Sequence, residues 1–295
     1  MTYSTTTTNT ETAPGSSELT ERYLTLLQDT LTFSLWDSLD GQVWIPEGTA
    51  KRALVRFLEK YGLEITRRTT AEKREHGGDW PRLAHTMTGS LRMRNLRDSV
   101  ETVLAEGVPG DLVETGVWRG GSCILMRGIL FAYGVDDRTV WLADSFRGLP
   151  KADAQRYPAD AGDRHHEWAA LAVSEEDVRM NFRRYGLLDS QVRFLSGWFR
   201  DTLPTASIER IAVLRLDGDM YGSTMEALDA LYPRLSDGGF CIVDDYGAVE
   251  GCRRAVEDFR TQHNITEPLT KIDWTGVYWR RNSDDRRESL DSPVA

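Results

Sequence analysis

The sequence predicts an α/β fold with a mostly parallel sheet, helices on both faces and one antiparallel strand at an edge. Three observations predict it. From Asp111 onward, short apolar or β-branched runs alternate with helical patterns, as in successive βα units. Two of those runs end abruptly in acid: 211–216 in Asp217-Gly218-Asp219, and 240–243 in Asp244-Asp245-Tyr246. In open parallel sheets, ligands bind where strands end on their carboxyl side. Finally, residues 269–272 and 276–279 flank Asp273-Trp274-Thr275, as a terminal hairpin would, and this adds the antiparallel strand.

Within the N-terminal third, residues 21–36 carry Leu24, Leu27 and Leu31 at helical spacing, which predicts a surface or interface helix. Residues 37–48 are mixed, with Gly41 and Pro46 as breakers, and 50–61 form a short second helix around Leu54, Phe57 and Leu58. Residues 62–80, charged and glycine-containing, are expected to be mobile. A helix over 90–106 presents Leu96, Val100 and Val103. The boundary with the core falls at Val108-Pro109-Gly110.

Inside the core, the strands are placed at 112–116, 140–144, 192–195, 211–216 and 240–243. Helices fill 122–133, 174–185, 223–234 and the stretch marked by Val249, Cys252, Val256 and Phe259. Ser174 has N-cap chemistry, with Glu175, Glu176 and Asp177 in the first turn. A long polar connection, 150–173, holds His165 and His166.

The chain has 295 residues, 40% of them hydrophobic, and nine Trp, enough for one large α/β domain with additions. Its formal charge of −10 argues against nucleic acid or an anionic membrane as partner, since both need basic patches. No apolar run approaches the ~20 residues that span a bilayer. Cys123, Cys241 and Cys252 lack metal-ligand spacing and read as buried reduced thiols of a cytoplasmic protein. The Thr/Ser-rich start has no apolar h-region. Residues 1–18 are expected to be a disordered tail, and the charged residues 282–295 a loose one.

Adjacent carboxylates at the two acidic strand ends repel unless something positive lies between them. A hard divalent cation, Mg²⁺ or Ca²⁺, is the simplest candidate; the alternative is that Asp217 and Asp244 are helix N-caps. Glu114-Thr115-Gly116-Val117-Trp118-Arg119-Gly120-Gly121-Ser122 is a strand, a glycine turn and a helix start. It lacks G-x-G-x-x-G, so a dinucleotide fits poorly. Glu114 can pair with an amine, Asp144 at the next strand end can accept ribose hydroxyls, and Ser196-Gly197-Trp198 can hold adenine. A ligand with amine, carboxylate, ribose and adenine but no phosphate is S-adenosylmethionine. Among other residues, His85 reads as cofactor-lining or structural, and His165 and His166 as solvated, rather than catalytic. Asp219 reads as a cap or as a neighbour of the metal ligands, and Trp118, Phe199 and Trp36 as packing that could also line an apolar acceptor site.

Residues 19–281 resemble the macrocin-type sugar O-methyltransferases of antibiotic biosynthesis, the TylF/MycF/NovP family. The matching stretches include Ala84-His85-Thr86-Met87, Val108-Pro109-Gly110-Asp111, Glu114 to Gly121, Ala143-Asp144-Ser145-Phe146, Gly197-Trp198-Phe199, Leu216-Asp217-Gly218-Asp219 and Val243-Asp244-Asp245-Tyr246; residues 33–78 depart from the pattern. The resemblance implies a class I methyltransferase (Rossmann-like) fold with a seven-stranded sheet and an N-terminal helical lid. It divides the chain into the tail, a lid region at 19–107, a methyltransferase core at 108–281 and the C-terminal tail.

It further implies S-adenosylmethionine held at Thr86, Met87, Glu114, Gly116, Ser122, Asp144, Ser145, Gly197 and Trp198, and Mg²⁺ held at Asp217, Asp244 and Asp245. A homo-oligomer, dimer or tetramer, is implied as well. The expected reaction methylates a sugar hydroxyl of a glycosylated small molecule, with Asp217 as both metal ligand and general base. An aromatic diol is the alternative acceptor.

Overall fold

The computed structural model describes residues 16–36, 41–44 and 46–282. The two expected loose tails therefore lie almost wholly outside the described residues, as does part of 37–48. The N-terminal side holds α1 (Ser16–Leu31), β1 (Gly41–Val43), α2 (Thr49–Glu59), β2 (Thr66–Arg68), α3 (Ala71–Glu75) and α4 (Ser90–Ala105). Helix α1 begins inside the stretch expected to be disordered, because Ser16, Ser17 and Glu18 carry helix-start chemistry. It also ends five residues before Trp36, since Phe33 adopts a positive φ of 60° that a helix cannot continue through.

Residues 62–80, expected to be mobile, instead contain two ordered elements. β2 pairs antiparallel with β1. Thr70 caps α3 by accepting the Lys73 N–H at 3.2 Å, and buried Arg74 pairs with Asp79 at 2.9 Å.

The core follows as β3 (Asp111–Thr115), α5 (Gly121–Ala132), β4 (Val140–Asp144), α6 (Glu175–Arg184), β5 (Val192–Ser196), α7 (Phe199–Thr202), β6 (Ile211–Leu216), α8 (Tyr221–Leu231), β7 (Leu235–Val243), α9 (Glu250–Gln262), β8 (Thr270–Lys271) and β9 (Val277–Arg280). The seven strands are ordered β5-β4-β3-β6-β7-β9-β8. β3 to β7 run parallel, and β9 lies antiparallel to β7 with two-residue β8 beside it at the edge. α1, α4, α5 and α6 bury Leu24, Leu96, Ile124 and Val178 on one face of the sheet. α8 and α9 bury Leu228 and Phe259 on the other. No helix among the described residues is long and apolar enough to cross a membrane.

The order reverses between β3 and β6, which is the switch point where open α/β sheets bind ligands. The ladder continues past the strand ends there. Asp217 N–H donates to Thr115 O at 2.8 Å, Asp244 N–H to Leu216 O at 2.9 Å, and Gly197 N–H to Asp144 O at 2.9 Å. The chain segments that carry the candidate site are thus aligned by the sheet itself.

Candidate active site

Two adjoining cavities open over these strand ends. One, of about 940 Å³, is lined by Met87, Gly116, Asp144, Ser145, Gly197 and Trp198, among others. The second, of about 1010 Å³, is lined by Thr86, Glu114, Ser122, Asp217, Asp244 and Asp245, among others. Met87, Trp118, Leu171, Asp217 and Asp219 face both. Every residue singled out for cofactor or metal therefore borders one cavity or the other.

Gly116 joins them. Its φ is 83°, and a Cβ there would stand 1.6 Å from the Asp217 carbonyl oxygen. Only glycine lets the turn after β3 lie directly against the acidic end of β6.

The cap reading of the acidic residues fails on geometry. α8 follows Asp217 and Asp219, yet its N-cap Met220 makes no side-chain cap bond. Its first N–H groups are instead taken by Asp160, which accepts from Tyr221 N and Gly222 N, each at 2.8 Å. The cap of α8 thus comes from the 150–173 connection. α9 likewise starts at Val249 with no side-chain cap bond, so Asp244 and Asp245 cap nothing. Asp217, Asp244 and Asp245 each offer an oxygen, and these three oxygens lie within 4.8 Å of one another. Such a set of hard oxygen donors suits Mg²⁺.

Sequence reasoning missed what already stands among these carboxylates. Arg215, on β6, is 2% exposed and pairs with Glu114, Asp244 and Asp217, the last at 2.7 Å, while donating to Thr88 Oγ1 at 2.9 Å. Arg92, on α4, bridges Asp244 and Asp273, the latter at 2.9 Å. Both oxygens of Asp244 are thereby engaged by arginine. The signal was present: an arginine inside the wholly buried run Ile-Ala-Val-Leu-Arg-Leu must be paired.

Two arginines do not balance the acid around them. Burial pushes Glu114 up to about 7 against the pull of Arg215. Burial, then the neighbouring Asp217, pushes Asp219 up to about 7. Asp217 is raised by burial and by Asp244, and Asp245 is raised well above the carboxylate range by burial and by Asp219 and Asp217. Burial is the first cause in each case and the neighbouring carboxylates add to it at Asp217, Asp219 and Asp245; a divalent cation would supply positive charge there. The donor set fits a hard metal ion.

On the cofactor side, several groups already have partners. Asp144 is half-buried and accepts Val117 N–H at 2.6 Å on one oxygen and Phe146 N–H at 2.7 Å on the other, and the Trp118 backbone and Ser145 side chain add to its stabilisation. Glu114, read from the sequence as an amine partner, already accepts Cys123 Sγ–H at 2.7 Å as well as pairing with Arg215. Ser145 Oγ closes its own turn, donating to Gly148 O at 2.7 Å. Thr86 Oγ1 accepts Thr88 N–H at 3.0 Å. Gly197, at a φ of 148°, and Trp198 line the first cavity at the end of β5.

The histidines divide. His85 hydrogen-bonds Tyr185 Oη at 2.7 Å, and burial with Arg184 and Arg119 nearby lowers it to about 4, so it is structural. His165 is not merely solvated: it lines the second cavity and is held by Asp163 at 2.6 Å. Trp118 borders both cavities and Phe199 the first, whereas Trp36 packs on Phe33 away from them.

The macrocin-O-methyltransferase (TylF) family profile matches residues 20–281. Mycinamicin III 3''-O-methyltransferase of Micromonospora griseorubida is 56% identical over 215 residues, 72% of this chain and 84% of that protein. Demethyldecarbamoylnovobiocin O-methyltransferase of Streptomyces niveus is 58% identical over 214 residues, 71% of this chain and 80% of that protein. The solved structure of the O-methyltransferase NovP superposes with a TM-score of 0.79 at 47% identity, covering 90% of this chain and 100% of that one. With its seven-stranded class I sheet and its acidic strand ends, the chain belongs to the macrocin-type O-methyltransferase family.

Proposed function

We propose that the protein moves the methyl group of S-adenosylmethionine to a sugar hydroxyl of a glycosylated small molecule, with Mg²⁺ held by Asp217, Asp244 and Asp245. The observation that carries this is the contact of Gly116 with Asp217, which sets a cleft suited to the methyl donor directly against a metal-ligand set. The names of relatives, a mycinamicin 3''-O-methyltransferase and a rhamnosyl-tetracenomycin 4'-O-methyltransferase of Streptomyces olivaceus, support a sugar acceptor. The bound donor supplies an already activated methyl group. Bound Mg²⁺ supplies Lewis-acid polarisation of the acceptor hydroxyl.

The chain's residues do the rest. Thr86, Met87, Glu114, Gly116, Ser122, Asp144, Ser145, Gly197 and Trp198 shape the donor site. Arg215 and Arg92 align Asp217 and Asp244 by direct ion pairs. The sequence assigns both metal binding and proton removal to Asp217. One of its oxygens is already taken by Arg215 at 2.7 Å, so we divide the roles. Asp219 borders both cavities and makes no ion pair with arginine among the described residues, and it takes the proton. General-base help of this kind is worth ~10²–10⁴-fold.

The test is turnover of labelled S-adenosylmethionine with demethyldecarbamoylnovobiocin, methyl α-L-rhamnopyranoside and catechol. Asp217→Asn, Asp244→Asn and Asp245→Asn should each raise the Mg²⁺ requirement, and full activity in all three, or indifference to chelator, removes the metal. Asp219→Asn should keep Mg²⁺ binding and lose kcat. Methylation of catechol alone would replace the sugar with the aromatic diol.

We further propose 108–281 as the catalytic core, 19–107 as the region that includes the lid, and a cytoplasmic homo-oligomer, dimer or tetramer. Exposed Leu26 on α1, Phe131 on α5 and Leu54 and Phe57 on α2 support self-association. Light scattering on the purified protein reads the mass.

A further inference from the structure

The roof of the second cavity is built from two stretches to which the catalytic proposal gives no role. Residues 76–80 come from the end of α3, and 165–171 from the connection between β4 and α6. The Trp80 and Trp168 rings bring them together, edge to face at 5.7 Å. His165 packs edge-on against Trp168 at 4.5 Å. Asp163 holds that histidine twice, by its ring at 2.6 Å and by its backbone N–H at 2.9 Å. At the cavity's sides, Trp118 Nε1 donates to Ala170 O at 2.8 Å and Trp274 Nε1 to His76 O at 2.7 Å. Each tethers one roof stretch to the body of the protein.

Trp118 and Trp274 are thus committed as ties. Trp80 and Trp168 are not: neither indole N–H has a hydrogen-bond partner among the described residues, and the two residues stay 40% and 49% exposed. Large aromatic surface left open inside a cavity marks where a ligand packs. The same cavity is lined by Asp217, Asp219, Asp244 and Asp245. A cavity that offers both aromatic surface and carboxylates matches a pyranose, whose C–H face is apolar and whose hydroxyls project from the ring edge.

We propose that Trp80 and Trp168 form the stacking platform for the acceptor's sugar ring, with Asp163 and His165 positioning Trp168. This rests on the sugar O-methylation reading above. The platform is complete only when both roof stretches are in place, so it couples acceptor recognition to closure of the cavity. Neither ring lines the first cavity, where Gly116, Asp144, Ser145, Gly197 and Trp198 lie, so donor binding should depend on the two rings far less than acceptor binding does.

The experiment is steady-state kinetics with Mg²⁺ and two acceptors, demethyldecarbamoylnovobiocin and methyl α-L-rhamnopyranoside, beside calorimetry with S-adenosylhomocysteine. Trp80→Ala and Trp168→Ala should raise the acceptor KM about tenfold or more, with kcat changed less than about threefold and the product's Kd within about twofold. Trp168→Phe should keep most of the affinity. Trp168→Met, which keeps bulk but no ring, should behave like the alanine variant and controls for collapse. His165→Ala should raise KM in the same direction by less. An unchanged acceptor KM in the alanine and methionine variants, while the wild type methylates either glycoside, overturns the platform and leaves the sugar reading standing. A wild type that methylates catechol and neither glycoside overturns both.

Discussion

Replacing Arg215 by Met should destabilise the fold by about 3–5 kcal/mol near neutral pH, the cost of removing one partner from a buried ion pair. Met keeps most of the side-chain volume, so the loss is electrostatic rather than a cavity. Arg215 is 2% exposed and pairs with Glu114, Asp217 and Asp244; without it, buried Glu114 and part-exposed Asp217 lose their arginine partner, while Asp244 keeps Arg92. Glu114 sets the pH dependence. Its pKa rises from 4.5 to about 7 on folding even with Arg215 present, so the folded state binds more protons than the unfolded one. Stability from this group is therefore highest at low pH and is lost as pH rises through about 7. Removing Arg215 pushes the carboxyl higher still. The variant should then lose most at about pH 8 and much less at about pH 6, where Glu114 is protonated. Urea unfolding followed by Trp fluorescence at both values, without metal, measures the difference. Adding Glu114→Gln to the variant should recover more than about 1 kcal/mol at the higher pH, because the uncompensated charge goes with it. A variant as stable as wild type at the higher pH, or no recovery in the double variant, would refute the charge argument.

Asp160→Ala removes both acceptors at the start of α8 and should cost about 1–2 kcal/mol by urea unfolding. Gly116→Ala puts a methyl group 1.6 Å from the Asp217 carbonyl oxygen at a φ of 83°, so calorimetry should detect no binding of S-adenosylhomocysteine. The three cysteines are all buried and free, and burial raises each thiol well above its ordinary pKa; Ellman's reagent should titrate none in native protein and all three after unfolding. His85, lowered to about 4, stays neutral above that value, so His85→Gln should leave the shape of the pH–rate profile unchanged between about pH 6 and 9.

The parallel core was legible because each strand announces itself locally, as an apolar run closed by glycine or acid. The positions of Asp217, Asp244 and Asp144 at strand ends followed from that pattern alone. The arginines were harder. Arg215 is visible as an anomaly in its strand, but its three carboxylate partners come from β3, the end of its own strand and the end of β7, a convergence that only the strand order creates. Arg92 sits on a helix whose periodicity says nothing of a reach to Asp244 and Asp273. Residues 62–80 read as mobile because their order comes from tertiary pairs, Arg74 with Asp79 and β2 with β1, rather than from propensity. The cap of α8 was illegible for the same reason: its donor and acceptor groups are sixty-one residues apart.

That borrowed cap has a consequence for how the molecule can be cut. Residues 153–156 form an exposed run just upstream of Asp160, the sort of place where a protease enters. A nick there would leave every strand of the sheet in place, and the fragments would stay associated through the core. Yet it would free one end of the segment that holds the first turn of α8, a short step along the chain from Asp217 and Asp219. A nicked chain should therefore keep its shape and melting behaviour while losing turnover, which makes limited proteolysis a way to separate the scaffold from the chemistry it carries.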